Sequence, residues 1–101
     1  MKVIKLPQAL IDLVETATYL ADDDTDVADR FFDAFETTID DIRNSPKIGI
    51  IRMFRRDTVV RMWFVRRFRK TLIFYTESVD EIVILRIIHS ARDYNRFFDN
   101  E

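Results

Sequence analysis

Apolar and polar positions recur along this chain with two different periods, and the change of period marks its elements. From Gln8 to Ala21 the apolar residues Leu10, Leu13, Val14, Ala17, Leu20 and Ala21 fall at intervals of three and four, one stripe of a 3.6-residue helix. Pro7 suits the first turn of that helix, where its missing N–H is no loss. Asp12 and Glu15 are expected near its N-terminal end, where the helix dipole favours acids. DDDTD (residues 22–26) breaks the stripe and offers N-caps for a second helix. There Ala28, Phe31, Phe35, Ile39 and Ile42 form the apolar stripe, with Asp29, Arg30, Asp33, Glu36, Asp40 and Asp41 outside it. Asn44, Ser45 and Pro46 end it. Two helices joined by so short a turn make a hairpin, and each stripe needs a sheet to cover.

The period then shortens to two. Lys2 to Leu6 reads as a short first strand, and residues 60–93 read as three more. Val60, Met62 and Phe64 alternate with Arg61, Trp63 and Val65; Arg66 to Lys70 is a charged turn; Thr71 to Thr76 is β-branched and aromatic. After a turn at Glu77 to Glu81, Ile82 to Ile88 is apolar except for Arg86, a run expected in mid-sheet with both faces covered. The first strand supplies its second neighbour. The expected fold is α+β, in the order β-α-α-β-β-β, with a helical hairpin packed on a four-stranded, mostly antiparallel sheet. Ile50 to Thr58 is read as an exposed basic connector, with strand left open for parts of it, and Gly49 as a turn residue that tolerates positive φ. Phe97 and Phe98 are expected to tuck back onto the domain.

At 101 residues the chain is expected to form one domain, residues 1–101. It has no cysteine, which excludes disulfides and thiolate metal sites and suits a reducing cytosol. No apolar run approaches the ~20 residues that cross a bilayer, and the start lacks a signal-peptide pattern, so a cytoplasmic protein with no membrane partner is expected. The net charge of −2 conceals a division. Residues 1–50 carry 5 Lys/Arg against 11 Asp/Glu, whereas residues 51–101 carry 11 against 7.

Few residues are candidates for chemistry. A single glycine rules out the glycine-rich nucleotide loops, and a lone histidine without cysteine leaves no His/Cys metal set. No cofactor and no metal are expected. Arg52, Arg55, Arg56, Arg61, Arg66, Arg67, Arg69 and Lys70 are expected to crowd one end of the sheet, interleaved with Phe54, Trp63 and Phe68. Arginine grips phosphate and carboxylate bidentately and stacks on rings, so the cluster reads either as a binding surface or as a solubilising partner for the acidic helices. Arg86 is either paired internally or exposed on a functional face. His89 is either a packed strand-end residue or an acid/base group.

The motifs LPQALIDLVETATYLA, VADRFFDAFETTIDDIRNSPKIG, VRMWFVRRFRKTLIFY and IVILRIIHSARD, in this order and at this length, resemble the RelE/ParE superfamily of bacterial toxins from type II toxin–antitoxin systems, on its ParE-like branch. The resemblance spans about residues 2–94. It implies a growth-inhibiting toxin neutralised by a cognate antitoxin, ParD-like or of another type II family. ParE-like members act on DNA gyrase and RelE-like members cut mRNA on the ribosome. By this resemblance Arg61 matches the arginine opening the second strand, and Arg92 the basic residue after the last strand. In the nuclease alternative Arg61 and Arg92 would hold phosphate while His89 or Tyr94 moves the proton. A non-toxic domain that keeps only the antitoxin interface is the third alternative. Arg52, Arg55, Arg56, Arg61, Trp63 and Arg86 are the expected contacts to target or antitoxin. The net acidity, and Phe97-Phe98 where an interferase tyrosine would stand, favour the gyrase-directed branch.

Overall fold

A computed structural model describes residues 1–22, 24–55 and 57–89, without the side chains of Phe54 and Arg55. Its elements in order are β1 (Lys2–Lys5), α1 (Pro7–Leu20), α2 (Asp26–Asn44), β2 (Ile50–Arg55), β3 (Thr58–Val65), β4 (Phe68–Glu77) and β5 (Glu81–His89). The strands form one sheet in the order β1-β5-β4-β3-β2. Only the β1–β5 pair is parallel. β5 therefore does lie inside the sheet, between β1 and β4.

The sheet has five strands, not four, because Ile50–Arg55 is a strand rather than a loose connector. A bulge hid it. Ile51 pairs with Arg61 and Met53 with Val60, so Arg52 is the extra residue and the alternation slips there. The β3–β4 connection is also tighter than the basic run suggested. Val65 pairs with Phe68, which leaves Arg66 and Arg67 as a two-residue turn. Arg67 takes φ 66°, a left-handed conformation that usually goes to Gly or Asn.

Both helices cover one face of the sheet. Beneath them Phe31, Phe35, Ile39 and Ile42 of α2 and Ala9, Leu13 and Ala17 of α1 pack on Val65, Ile73, Tyr75, Ile82, Ile84 and Ile87. On α2 the apolar stripe sits where its period puts it. On α1 the buried arc is rotated, to Ala9, Asp12, Leu13, Thr16 and Ala17, and it leaves Leu10 and Val14 exposed. Small Ala9 and Ala17 allow close approach, and Asp12 is drawn inward by a partner on β5. Asp12 is thus a core residue and not an acid placed for the dipole. A second buried cluster, Val60, Leu72, Phe74 and Ile88 with Met53, Met62, Phe64 and Leu85 against it, occupies the remaining positions of the sheet.

The helix ends differ from expectation in detail. Thr25 is the N-cap of α2 but makes no capping bond through its side chain; Asp24 Oδ1, one residue earlier, accepts the Asp26 N–H at 3.0 Å. Gly49 has no positive φ. Its lack of a side chain serves another purpose, described below. The expected return of Phe97 and Phe98 lies outside the described residues. Among the described residues no helix is long and apolar enough to cross a membrane.

Candidate functional site

The residues singled out by chemistry fall into three places. The first is where β2, β3 and β4 meet the exit of α2. Arg61 pairs across the sheet with Ile51 on one side and Tyr75 on the other. Its Nη1 donates to the Gly49 carbonyl at 2.9 Å, and its Nε stands 3.6 Å from Glu77 Oε1. Tyr75 is fully buried; its hydroxyl donates to the Pro46 carbonyl at 2.7 Å and accepts the Gly49 N–H at 2.9 Å. Both polar groups of Gly49 are therefore held, one by Tyr75 and one by Arg61. Burial pushes the Tyr75 phenol above the usual tyrosine range, although the Gly49 N–H works against the shift. A 400 Å³ recess beside Arg61 is lined by Lys47, Asp57, Glu77 and Glu81 among others. Three carboxylates against two cations make it a poor seat for phosphate.

The second place is the junction of α1 with β5. Asp12 Oδ2 accepts Arg86 Nε at 2.7 Å, and Oδ1 accepts Nη2 at 3.2 Å, a bidentate pair. The same carboxylate accepts the Ile87 N–H at 3.0 Å and Gln8 Nε2 at 2.9 Å. Geometry explains why an acid is needed there. β1 stops at Lys5, and its last ladder bond is Leu6 N–H to the Ile84 carbonyl. On β5, Ile84 pairs with Tyr75 and Arg86 with Phe74, so Leu85 bulges, and Asp12 serves the β5 backbone past the point where β1 has ended. Of the two roles open for Arg86, the structure shows the internal pair. His89, at the end of β5, is buried with its ring edge-on to Tyr19 at 5.2 Å between centroids.

The third place is the tip of the β3–β4 hairpin. Arg66 binds Asp41 of α2 bidentately, at 2.6 and 2.9 Å, and its N–H donates to Thr38 Oγ1 at 3.0 Å. The hydrogen bond to Asp41, together with its charge, holds the Arg66 guanidinium above the ordinary arginine range. Arg69 lies 5.1 Å over the Phe64 ring. Trp63 is partly buried, stacked on Phe64 at 4.6 Å.

The basic residues are thus not one patch. Arg61 lies beside the α2 exit, whereas Arg66 and Arg67 form the turn after β3, five and six residues further on and about 16 Å away at the usual strand rise. Arg56 and Arg92 lie outside the described residues, as does Tyr94, and for Arg55 only the backbone is described. Sequence inspection missed Asp12, Gly49, Tyr75 and Glu77. Asp12 gave no local signal, because it lies off the apolar stripe that spacing assigns to α1 and its partner Arg86 is 74 residues away. Among the described residues no group of three or more His, Asp or Glu side chains is arranged to hold a metal ion.

Comparison with known proteins adds three findings. The family model described as "ParE toxin of type II toxin-antitoxin system, parDE" matches residues 3–94. No protein of curated function matches in sequence. Among solved structures, a chain of the "Chromosomal ParDE TA system from P. aeruginosa" superposes with a TM-score of 0.70 at 18% identity, covering 88% of this chain and 95% of that one.

Proposed function

The chain belongs to the ParE toxin family of type II toxin–antitoxin systems, and from that premise we propose that it arrests growth by binding and poisoning DNA gyrase and is neutralised by a cognate antitoxin. What favours binding over RNA cleavage is the state of the two described candidates, Arg61 and His89. A phosphate-cleaving site needs free cationic donors and a proton-moving group in reach of the substrate. Arg61 is engaged by Gly49 and Glu77, and His89 is buried against Tyr19. The acidic helical layer also opposes a long polyanion.

The antitoxin reading draws on the family and on the two-sided charge. An acidic antitoxin segment suits the basic strands β2 and β3, with Arg52, Arg55, Arg56 and Trp63 as its contacts; charge reversal at Arg55 and Arg56 weakens that complex.

The deciding experiment is a supercoiling assay with purified gyrase and antitoxin-free protein, run beside transcript mapping in induced cells. Inhibited supercoiling or trapped cleaved DNA, with intact transcripts, is the expected result. Unaffected gyrase at large molar excess overturns the gyrase target. Transcripts cut upon induction move the assignment to a ribosome-dependent endonuclease, and induction without growth arrest moves it to a non-toxic antitoxin-binding domain.

A further inference from the structure

Between α2 and the β3–β4 turn lies a recess of about 540 Å³, a volume in the range of small-molecule sites. Its apolar lining is Val27 and Ala34 of α2 and Phe68 of β4, all partly buried. Phe68 stands edge to face against buried Phe31, 5.3 Å between centroids, so its ring is fixed in advance of any ligand. The charged lining is Arg30, Arg66 and Arg67 against the single carboxylate of Asp33. The three arginines are not equally engaged. Arg66 gives Nε and Nη2 to Asp41. Arg30 makes one contact of 3.3 Å with Asp24, between side chains 65% and 53% exposed, a kind of pair that holds weakly. Among the described residues nothing hydrogen-bonds or ion-pairs with the Arg67 side chain, which is exposed.

Arg67 is also the one described residue with a left-handed backbone, at φ 66°, where Gly or Asn would sit with less strain. Strain of this kind persists where a side chain has a use, and the fold makes no use of this one. A free guanidinium beside a loosely held one grips an oxyanion, and phosphate best of all. The remaining lining narrows the class. A bare anion leaves Val27, Ala34 and Phe68 without a partner. A long polyanion would run along Asp29, Asp33, Glu36 and Asp40, all exposed on α2. A small ligand that joins one phosphate to a flat ring, with hydroxyl donors for Asp33, meets every part of the recess. We propose that the recess binds a free nucleoside monophosphate, its phosphate between Arg30 and Arg67 and its base against Phe68. Side-chain guanidinium groups here take the part that a glycine-rich loop plays elsewhere, in a chain with a single glycine. The site stands whether or not gyrase is the target.

The test is a calorimetric titration of the purified protein with each of AMP, GMP, CMP and UMP, beside inorganic phosphate and single-stranded oligoadenylate. At least one mononucleotide is expected to bind with a Kd below about 1 mM, and inorganic phosphate about 10-fold more weakly or worse. Arg67→Asn, which suits the left-handed turn and keeps the melting transition at or above the parent's, is expected to bind that mononucleotide about 10-fold more weakly. Arg30→Gln is expected to lose a similar factor. Arg69→Gln removes the same charge from the same hairpin but outside the recess, and is expected to bind as the parent does. Failure of all four mononucleotides at millimolar concentration overturns the site. So does parent-like binding by folded Arg67→Asn. An equal loss in Arg69→Gln would show diffuse charge attraction instead of a site. Inorganic phosphate binding as tightly as the best mononucleotide overturns the role of the base. Oligoadenylate binding more tightly than any mononucleotide overturns the free nucleotide as occupant.

Discussion

The Tyr75 hydroxyl and Gly49 share a space that admits no Cβ. The Gly49 N–H donates to that hydroxyl at 2.9 Å, and a methyl group on Gly49 would stand 2.6 Å from the same oxygen. The contact joins the end of α2 to the middle strand of the sheet, and Arg61 braces it from the other side through the Gly49 carbonyl. Gly49→Ala is expected to destabilise the protein by about 1–3 kcal/mol, because the ring it meets is packed on all sides and cannot retreat. Tyr75→Phe removes two buried hydrogen bonds, and is expected to lower stability by about 1–3 kcal/mol. In the double variant the closest clash is gone, so the two effects sum to more than the measured total. Urea unfolding of the four proteins checks this; strict additivity would show that the contact is not shared.

The same hydroxyl makes alkaline stability sensitive to one residue. The folded phenol ionises above the usual value of 10, so between the unfolded and folded values the native state holds a proton that the unfolded chain has lost. The stabilisation is complete below pH 10 and declines as pH rises from 10 through the folded value. The physical cause is burial, with the donor bond to Pro46 lost on ionisation. Tyr75→Phe is expected to flatten this part of the stability curve relative to the parent. Parallel slopes for the two proteins from pH 9 to 11.5 would assign the decline to other groups.

Asp12 and Arg86 are expected to be worth more as a pair than either is alone. Asp12→Ala removes the carboxylate that Arg86 Nε and Nη2 and the Ile87 N–H donate to, and is expected to cost about 2–4 kcal/mol. Arg86→Ala costs less, since Asp12 keeps the Ile87 and Gln8 bonds and Arg86 is a third exposed. A double-mutant cycle should give a coupling of about 1–2 kcal/mol. Growth arrest by folded Arg86→Ala protein, at matched cellular level, would show that Arg86 acts in the fold and not on the target.

Arg67 holds a conformation that its side chain disfavours. Arg67→Asn or Arg67→Gly is expected to raise stability by about 0.5–1 kcal/mol, readable as a rise of a few degrees in Tm. A fall instead would mean that the Arg67 side chain contributes contacts exceeding the backbone strain.

How far the chain could be read in advance depended on whether the deciding partner lay within a few residues or across the fold. Phe31, Phe35, Ile39 and Ile42 announce α2 by spacing alone, and the structure buries each of them. The mid-sheet position of Ile82–Ile88 followed from the near absence of polar residues. The fifth strand was missed because a bulge at Arg52 breaks the alternation on which strand recognition depends. The buried arc of α1 was misplaced because Asp12 looked like a surface acid, and its partner Arg86 is 74 residues away. Arg61, Arg86 and His89 drew attention by residue type, and the contacts each makes, on Gly49, Asp12 and Tyr19, lie too far off in sequence to be read there. Gly49 was recognised as necessary for the wrong reason: steric room for a tyrosine 26 residues later, rather than a left-handed turn.

The pairing of β1 with β5 carries a consequence for timing. Lys2 meets Glu81 and Lys5 meets Ile84, so the first strand made is the partner of the last described one. During synthesis β1, α1 and α2 wait without their sheet until nearly all of the described chain has left the ribosome, several seconds at ~5–20 residues per second. A surface that spans β1 and β5 does not exist on the nascent chain until β5 has emerged. It forms only when the two ends of the described chain meet, after the helices between them have been made.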